Sequence, residues 1–137
     1  MSYAFKEGRM WDWAVGMAQH MSLLSKDPST RVGAVIFDDK RRLVAGGYNG
    51  LPRGVVDSHE RLNAERNALS FATTSVHGST LFCTHPCCTQ CAAQIIQMGV
   101  ANVCWPTPDE GFAKRWEDDI ALSMEMFTEA GVMVDVR

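Results

Sequence analysis

The sequence predicts an α/β fold: one three-layer α/β/α domain over residues 1–137, with a five-stranded mixed sheet and helices on both faces. Three observations lead there. Two apolar runs, residues 32–37 and 43–48, flank a polar turn, the pattern of a hairpin. From residue 58 onward helical patterns and short apolar strands alternate, which sets parallel neighbours beside the hairpin and helices over them. A chain of 137 residues is long enough for one buried core and too short for two.

Each element has its own signal. Between residues 8 and 25, Met10, Trp11, Trp13, Ala14, Met17, Met21 and Leu24 recur at helical spacing and predict an amphipathic first helix. Lys26-Asp27-Pro28-Ser29 ends it. The hairpin strands follow, joined by the polar turn at residues 38–41. Asn49-Gly50-Leu51-Pro52-Arg53-Gly54 is a loop by its glycine and proline content. Asp57 or Ser58 then caps a second helix, which runs to about Ala72 and carries Glu65. Residues 80–84 read as a strand, 88–98 as a helix stopped at Gly99, and 100–105 as another strand. After a loop at residues 106–111, a single helix over 112–130 ends at Gly131, and 132–136 form the last strand. No internal repeat, linker or low-complexity tract interrupts this order.

Composition narrows the function. A formal net charge of -3 argues against a domain built to lie along polymeric nucleic acid and suits a small anionic metabolite better. No apolar stretch approaches the ~20 residues that span a bilayer, so the chain reads as soluble, cytoplasmic and without a membrane partner. The 5 cysteines are an odd number, with four between Cys83 and Cys91, which suits reduced thiols and metal chemistry rather than a disulfide framework. Cys83 and Cys104 lie in apolar segments and read as small buried hydrophobes.

Cys88 and Cys91 stand at i and i+3 at the mouth of a helix, where both sulfurs can turn toward one ion and the free helix N–H groups favour thiolates. A redox pair is the competing reading. It would want the motif in a different strand–helix order, without a Glu-bearing helix before it. Cys87 is one turn from Cys91 and can also reach an ion. Two thiolates leave a catalytic zinc one protein ligand short. His59, His85 and His77 are candidates, whereas His20 reads as a surface or boundary residue on the first helix. In a continuous helix His59 would project away from Glu65.

Several segments together resemble the deoxycytidylate deaminases of the zinc-dependent cytidine deaminase superfamily, over nearly the whole chain. Residues 25–34, Ser-Lys-Asp-Pro-Ser-Thr-Arg-Val-Gly-Ala, are similar to the approach to that family's first strand. Residues 47–54, Gly-Tyr-Asn-Gly-Leu-Pro-Arg-Gly, resemble its substrate loop, the most specific of these signals. Ala64-Glu65-Arg66-Asn67-Ala68 and Cys88-Thr89-Gln90-Cys91-Ala92 resemble the tail of the catalytic motif and the zinc helix. In that pattern, His-x-Glu followed by Pro-Cys-x-x-Cys, Asn63 stands where the histidine belongs and Cys87 where the proline belongs. The segment between Gly54 and Ala64 is also shorter than members usually have.

The resemblance implies a hydrolytic deaminase with Zn2+ as cofactor and a small nucleotide as partner, converting dCMP to dUMP and ammonia. Water activated at the metal attacks C4 of cytosine, and Glu65 is the catalytic proton shuttle. Cys88 and Cys91 become the thiolate ligands, with His59, or Asn63 at the motif position, completing the set. The Ala64 N–H is expected to hold the pyrimidine O2, and Asn49 to bond the sugar or phosphate unless it only forms the turn. Lys26, Arg31 and Arg53 are candidates for the 5′-phosphate. Trp105 is placed to line the pocket over the base, while Trp11, Trp13, Phe71 and Phe82 read as core or subunit contacts. Asn67 is expected to structure the site, and family members commonly form homo-oligomers. Two other readings stay open: a deaminase of a 5-modified or differently phosphorylated cytosine nucleotide, and a metal-impaired nucleotide-binding paralogue.

Overall fold

The computed structural model describes residues 3–50, 54 and 63–137. Helix α1, Gly8–Ser22, buries Trp11, Ala14, Val15 and Ala18, the i, i+3, i+4, i+7 stripe of an amphipathic helix. It lies on strand β1, Gly33–Phe37, at a point where only glycine fits. A Cβ on Gly33 would collide with the backbone of Ala18 and Ser22.

β1 pairs antiparallel with β2, Leu43–Tyr48, and all five β1 residues are buried, as expected of a strand covered on both faces. On its other side β1 pairs antiparallel with β3, Thr80–Cys83. Strands β4, Asn102–Trp105, and β5, Met133–Val136, then add in parallel, giving one mixed sheet in the order β2-β1-β3-β4-β5. The two sheet faces hold separate cores. Val35, Phe37, Phe82 and Cys104 pack with Phe5 under α1. Ala34, Ile36, Leu81, Cys83, Val103 and Trp105 face helices α2, Ala64–Phe71, α3, Thr89–Gln97, and α5, Glu117–Ala130. The expected three-layer α/β/α arrangement is therefore present. Among the described residues, no helix is long and apolar enough to cross a membrane.

Two expectations are corrected. The second helix does not run continuously from residue 57 or 58, because Asn63 has extended backbone, φ -72° and ψ 154°, and α2 begins only at Ala64. Residues 55–62, including the proposed caps Asp57 and Ser58, lie outside the described residues. The single helix expected over 112–130 is two helices. α4, Glu110–Arg115, starts on an Asp109 cap whose carboxylate accepts the Phe112 N–H at 2.8 Å, and the chain turns at Trp116, φ -111° and ψ 17°, before α5. The turn costs little hydrogen bonding. Trp116 N–H still donates to Phe112 O, and Trp116 O accepts from Ile120 N–H.

Candidate active site

Two helix N-termini, those of α2 and α3, meet on one face of the sheet. Gly47 on β2 lets α2 approach, since a Cβ there would lie 2.5 Å from Ala68 N and 2.9 Å from Ala64 O. Asn67 ties the helix down by donating to Tyr48 O at 2.6 Å. α3 is fixed from the other side by Asp119 of α5, which accepts the Thr89 N–H at 3.2 Å and the Thr89 hydroxyl at 3.0 Å. These contacts bring residues 63–65 against residues 87–91.

The Asn63 carboxamide reaches both motif cysteines, with Nδ2 donating to Cys88 Sγ at 3.0 Å and to Cys91 Sγ at 3.2 Å. Cys88, the N-cap of α3, also accepts the Cys91 N–H at 3.4 Å. A hydrogen bond from the Cys91 thiol lowers the Cys88 pKa to about 7, and donating it pushes Cys91 up. Among the described residues, no three His, Cys, Asp or Glu side chains gather where a metal could bind. What gathers is two sulfurs and one carboxamide whose N–H groups face them; the two cysteines suit zinc, and the group at the third position is a neutral amide rather than an imidazole.

The other proposed ligands make different contacts or fall outside the described residues. His59 falls outside the described residues. His85 pairs through Nδ1 with Thr84 Oγ1 at 2.8 Å and packs its ring 4.9 Å from that of Phe112, and burial lowers its pKa. His77 packs beside Gly99, and His20 is exposed on α1. Cys87 is buried beside Glu65.

Glu65 is 4% exposed, and burial raises its carboxyl pKa, an effect opposed in part by hydrogen bonds from its own N–H and the thiols of Cys83, Cys91 and Cys87. Cys83, read from its apolar segment as a plain hydrophobe, thus has a second role as a neighbour of this carboxyl. Asn63, Ala64 and Glu65 open onto a cavity of about 310 Å³. Ala64 begins α2, so its N–H has no intrahelical acceptor.

Asn49 lines the cavity with its hydrogen-bonding capacity largely used. Its Oδ1 accepts from Ser25 Oγ at 2.6 Å and Val32 N at 3.0 Å, and its Nδ2 donates to Thr30 O at 2.9 Å. One amide proton is left for a ligand. Lys26 and Arg31 are exposed next to the cavity residues Asp27 and Thr30 but do not line it, and Arg53 lies outside the described residues.

The expectation for Trp105 is overturned. It is 2% exposed, packs 6.5 Å from the Phe127 ring, and borders a separate groove with Pro108, Lys114 and Met124. Trp105 shares the site-side face of β4 with Val103, but α5 covers it there, with Phe127 packed against its ring. The aromatic wall of the cavity comes instead from His85, Phe112 and Trp116, with Ile120 beside them. Sequence reasoning missed Phe112 and Trp116 by running one helix through them. The available signal was Glu117-Asp118-Asp119, an acidic run of the kind that opens a new helix.

Residues 8–107 match the family model of the cytidine and deoxycytidylate deaminase zinc-binding region. The chain is 43% identical over 128 residues to an uncharacterized deaminase in the luxG 3' region of Aliivibrio fischeri, with 86% of each chain covered. A probable deoxycytidylate deaminase of Caenorhabditis elegans is 37% identical over an alignment of 102 residues, with 64% of this chain and 52% of that relative covered. Among solved structures, dCMP deaminase from the cyanophage S-TIM5, in complex with dCMP and dUMP, is similar with a TM-score of 0.77. It is 25% identical, over 96% of this chain and 98% of that one.

Proposed function

The chain belongs to the cytidine and deoxycytidylate deaminase family, enzymes of hydrolytic deamination, and we propose that it converts dCMP to dUMP and ammonia. One observation carries this reading. Glu65 is a buried carboxyl at a helix N-terminus, opening on a cavity beside two cysteines whose sulfurs share one amide partner. With its pKa raised by burial, such a group can hold a proton as well as take one, which acid–base chemistry near neutral pH requires. The cyanophage enzyme with this fold binds dCMP and dUMP, which favours a cytosine monophosphate over other substrates of the family.

Cys88 and Cys91, with His59 or Asn63 as the third protein ligand, would hold zinc, the cofactor for which the family region is named. When bound, it supplies the Lewis acidity that makes water nucleophilic near neutral pH. Glu65 takes one proton of the attacking water and delivers it to N3 of the ring, then takes the second from the hydroxyl left on C4 and passes it to the departing amine, which leaves as ammonia while the C4 carbonyl forms. The Ala64 N–H donates to the pyrimidine O2. Phe112 and Trp116 cover the base and exclude bulk water. The described cavity wall carries Asp27 and Asp119 and no Lys or Arg, so the 5′-phosphate points outward, toward the rim where Lys26 and Arg31 lie and where Arg53 is a further candidate. Assembly with copies of itself belongs to this reading, since Trp13, Leu23, Leu24 and Leu43 are large apolar side chains left exposed on α1, the turn after it and the edge strand β2.

The test is release of ammonia and dUMP from dCMP by the zinc-loaded chain, run beside deoxycytidine, dCTP and 5-methyl-dCMP. Turnover should be fastest on dCMP and fall by roughly 10²–10⁴-fold in Glu65→Gln with zinc content unchanged. Preference for another cytosine nucleotide would move the substrate assignment. Binding of dCMP without turnover, rescued by Asn63→His, would replace deamination with a nucleotide-binding role.

A further inference from the structure

Imidazole has two ring nitrogens, and the bond made by one decides whether the other donates or accepts. At the end of β3, Thr84 settles this for His85. The Gly33 N–H donates to Thr84 Oγ1 at 3.1 Å, while the Thr84 N–H is bound back to Gly33 O at 3.0 Å. The hydroxyl keeps one proton to give, and the acceptor in reach is His85 Nδ1 at 2.8 Å. Nδ1 is therefore the bare nitrogen, and Nε2 carries the hydrogen. Burial lowers the His85 pKa, which keeps the ring neutral in this tautomer. The side chain is half-buried on the cavity wall, with its plane set by the Phe112 ring 4.9 Å away. Its Nε2–H has no hydrogen-bond partner among the described residues, so it stands as a fixed donor for a ligand.

We propose that His85 is a specificity-determining residue of this site, its Nε2–H donating to an oxygen of the nucleotide's 5′-phosphate. The inference deepens the cytosine nucleotide reading above and rests on it. On cytosine, O2 is taken by the Ala64 N–H and N3 by the proton that Glu65 delivers, while the 4-amino group is itself a donor. The strongest acceptors left on the ligand are the phosphate oxygens. The described wall offers them no Lys or Arg and holds two carboxylates, Asp27 and Asp119. An ammonium or guanidinium placed there would be drawn into an ion pair with those carboxylates. A neutral N–H whose ring is anchored through Thr84 stays available to the ligand.

Equilibrium binding tests this apart from turnover. Zinc-loaded Glu65→Gln, which should hold dCMP without consuming it, is titrated with dCMP and with deoxycytidine, alone and combined with His85→Phe or His85→Gln. Phenylalanine keeps a ring against Phe112 and removes the donor, whereas glutamine puts an amide N–H near the place of Nε2. Loss of a hydrogen bond to a charged group should weaken dCMP by roughly 10–100-fold in His85→Phe, with part of it recovered in His85→Gln. Deoxycytidine, which lacks the phosphate, should bind nearly as before. Unchanged dCMP affinity in His85→Phe overturns the proposal, as does an equal loss for dCMP and deoxycytidine, which would place His85 on the base or in the fold. Should His85→Phe fail to fold by circular dichroism, nitrogen-15 NMR of the imidazoles in Glu65→Gln decides. A proton on His85 Nδ1, or an Nε2–H resonance moved no further by dCMP than by deoxycytidine, overturns the assignment. Absence of turnover in the native chain would sink deamination and leave the binding result standing, so the two can fail separately.

Discussion

Glu65 sets function against stability at a single residue. Burial raises its folded pKa above the ordinary value of 4.5, so the folded chain keeps a proton that the unfolded chain releases. The sign follows from linkage. Below the unfolded value both states are protonated and stability is greatest; as pH rises the unfolded state alone ionises, and stability falls until the folded pKa is passed. Glutamine has the same shape and no charge. Metal-free Glu65→Gln should therefore melt above the native chain at about pH 8, by on the order of 1–3 kcal/mol, with the two curves converging toward about pH 4. Parallel curves across that range in thermal melts would refute the burial argument. This residue was legible in the sequence because its chemistry depends on short, fixed spacings: Asn63-Ala64-Glu65 on one segment and Cys88-x-x-Cys91 on another. The thiols of Cys83 and Cys87 around the carboxyl were not legible, because only the packing of α2 against β3 and the start of α3 brings them there.

At the scale of elements, the site depends on how closely α2 sits on β2. Gly46 and Gly47 are neighbours in β2 with opposite surroundings. A Cβ at Gly47 meets backbone atoms of Ala64, Asn67 and Ala68, none of which can move without the helix, whereas a Cβ at Gly46 first meets Met21 Cε, the end of a flexible side chain. Gly47→Ala should cost roughly 1–3 kcal/mol and lift Asn63 and Glu65 away from α3, lowering both the melting temperature and dCMP turnover. Gly46→Ala should be milder in both measurements; equal effects would show that the α2 seat is not what matters. Element type was readable from periodicity, and the hairpin and all five strands appear in the expected order. Element ends were less readable. Trp116 lies in a run that is periodic enough for one helix, and the break there is needed for Asp119 to reach Thr89 while Phe112 and Trp116 face the cavity. Those are tertiary demands, which local propensity does not encode.

Over the whole molecule, contacts between residues far apart in sequence close the α1 face, and no local pattern announced them. The Tyr3 hydroxyl donates to Asp135 Oδ2 at 3.0 Å and lies 2.9 Å from Cys104 Sγ, bridging the segment before α1 to β4 and β5. Arg137 grips the same segment. Its guanidinium donates to Phe5 O at 3.2 Å and Lys6 O at 3.1 Å, pairs with both oxygens of Asp135, and lies 5.2 Å over the Trp11 ring. Through these bonds the buried Phe5 is held between Phe37 and Phe82. Solvent reaches the ion pair, so its net worth is modest, and the two backbone carbonyls carry much of the effect. Arg137→Ala should lower stability by on the order of 1 kcal/mol, a drop of roughly 3–5 °C in Tm. Arg137→Lys should recover only part of it, because an ammonium keeps the charge and loses the fork that reaches several acceptors at once. Zinc affinity and turnover per folded molecule should be unchanged in both variants, since the cavity lies on the opposite face of the sheet. Loss of turnover without loss of Tm would mean that the two faces are coupled through the strands rather than stabilised separately.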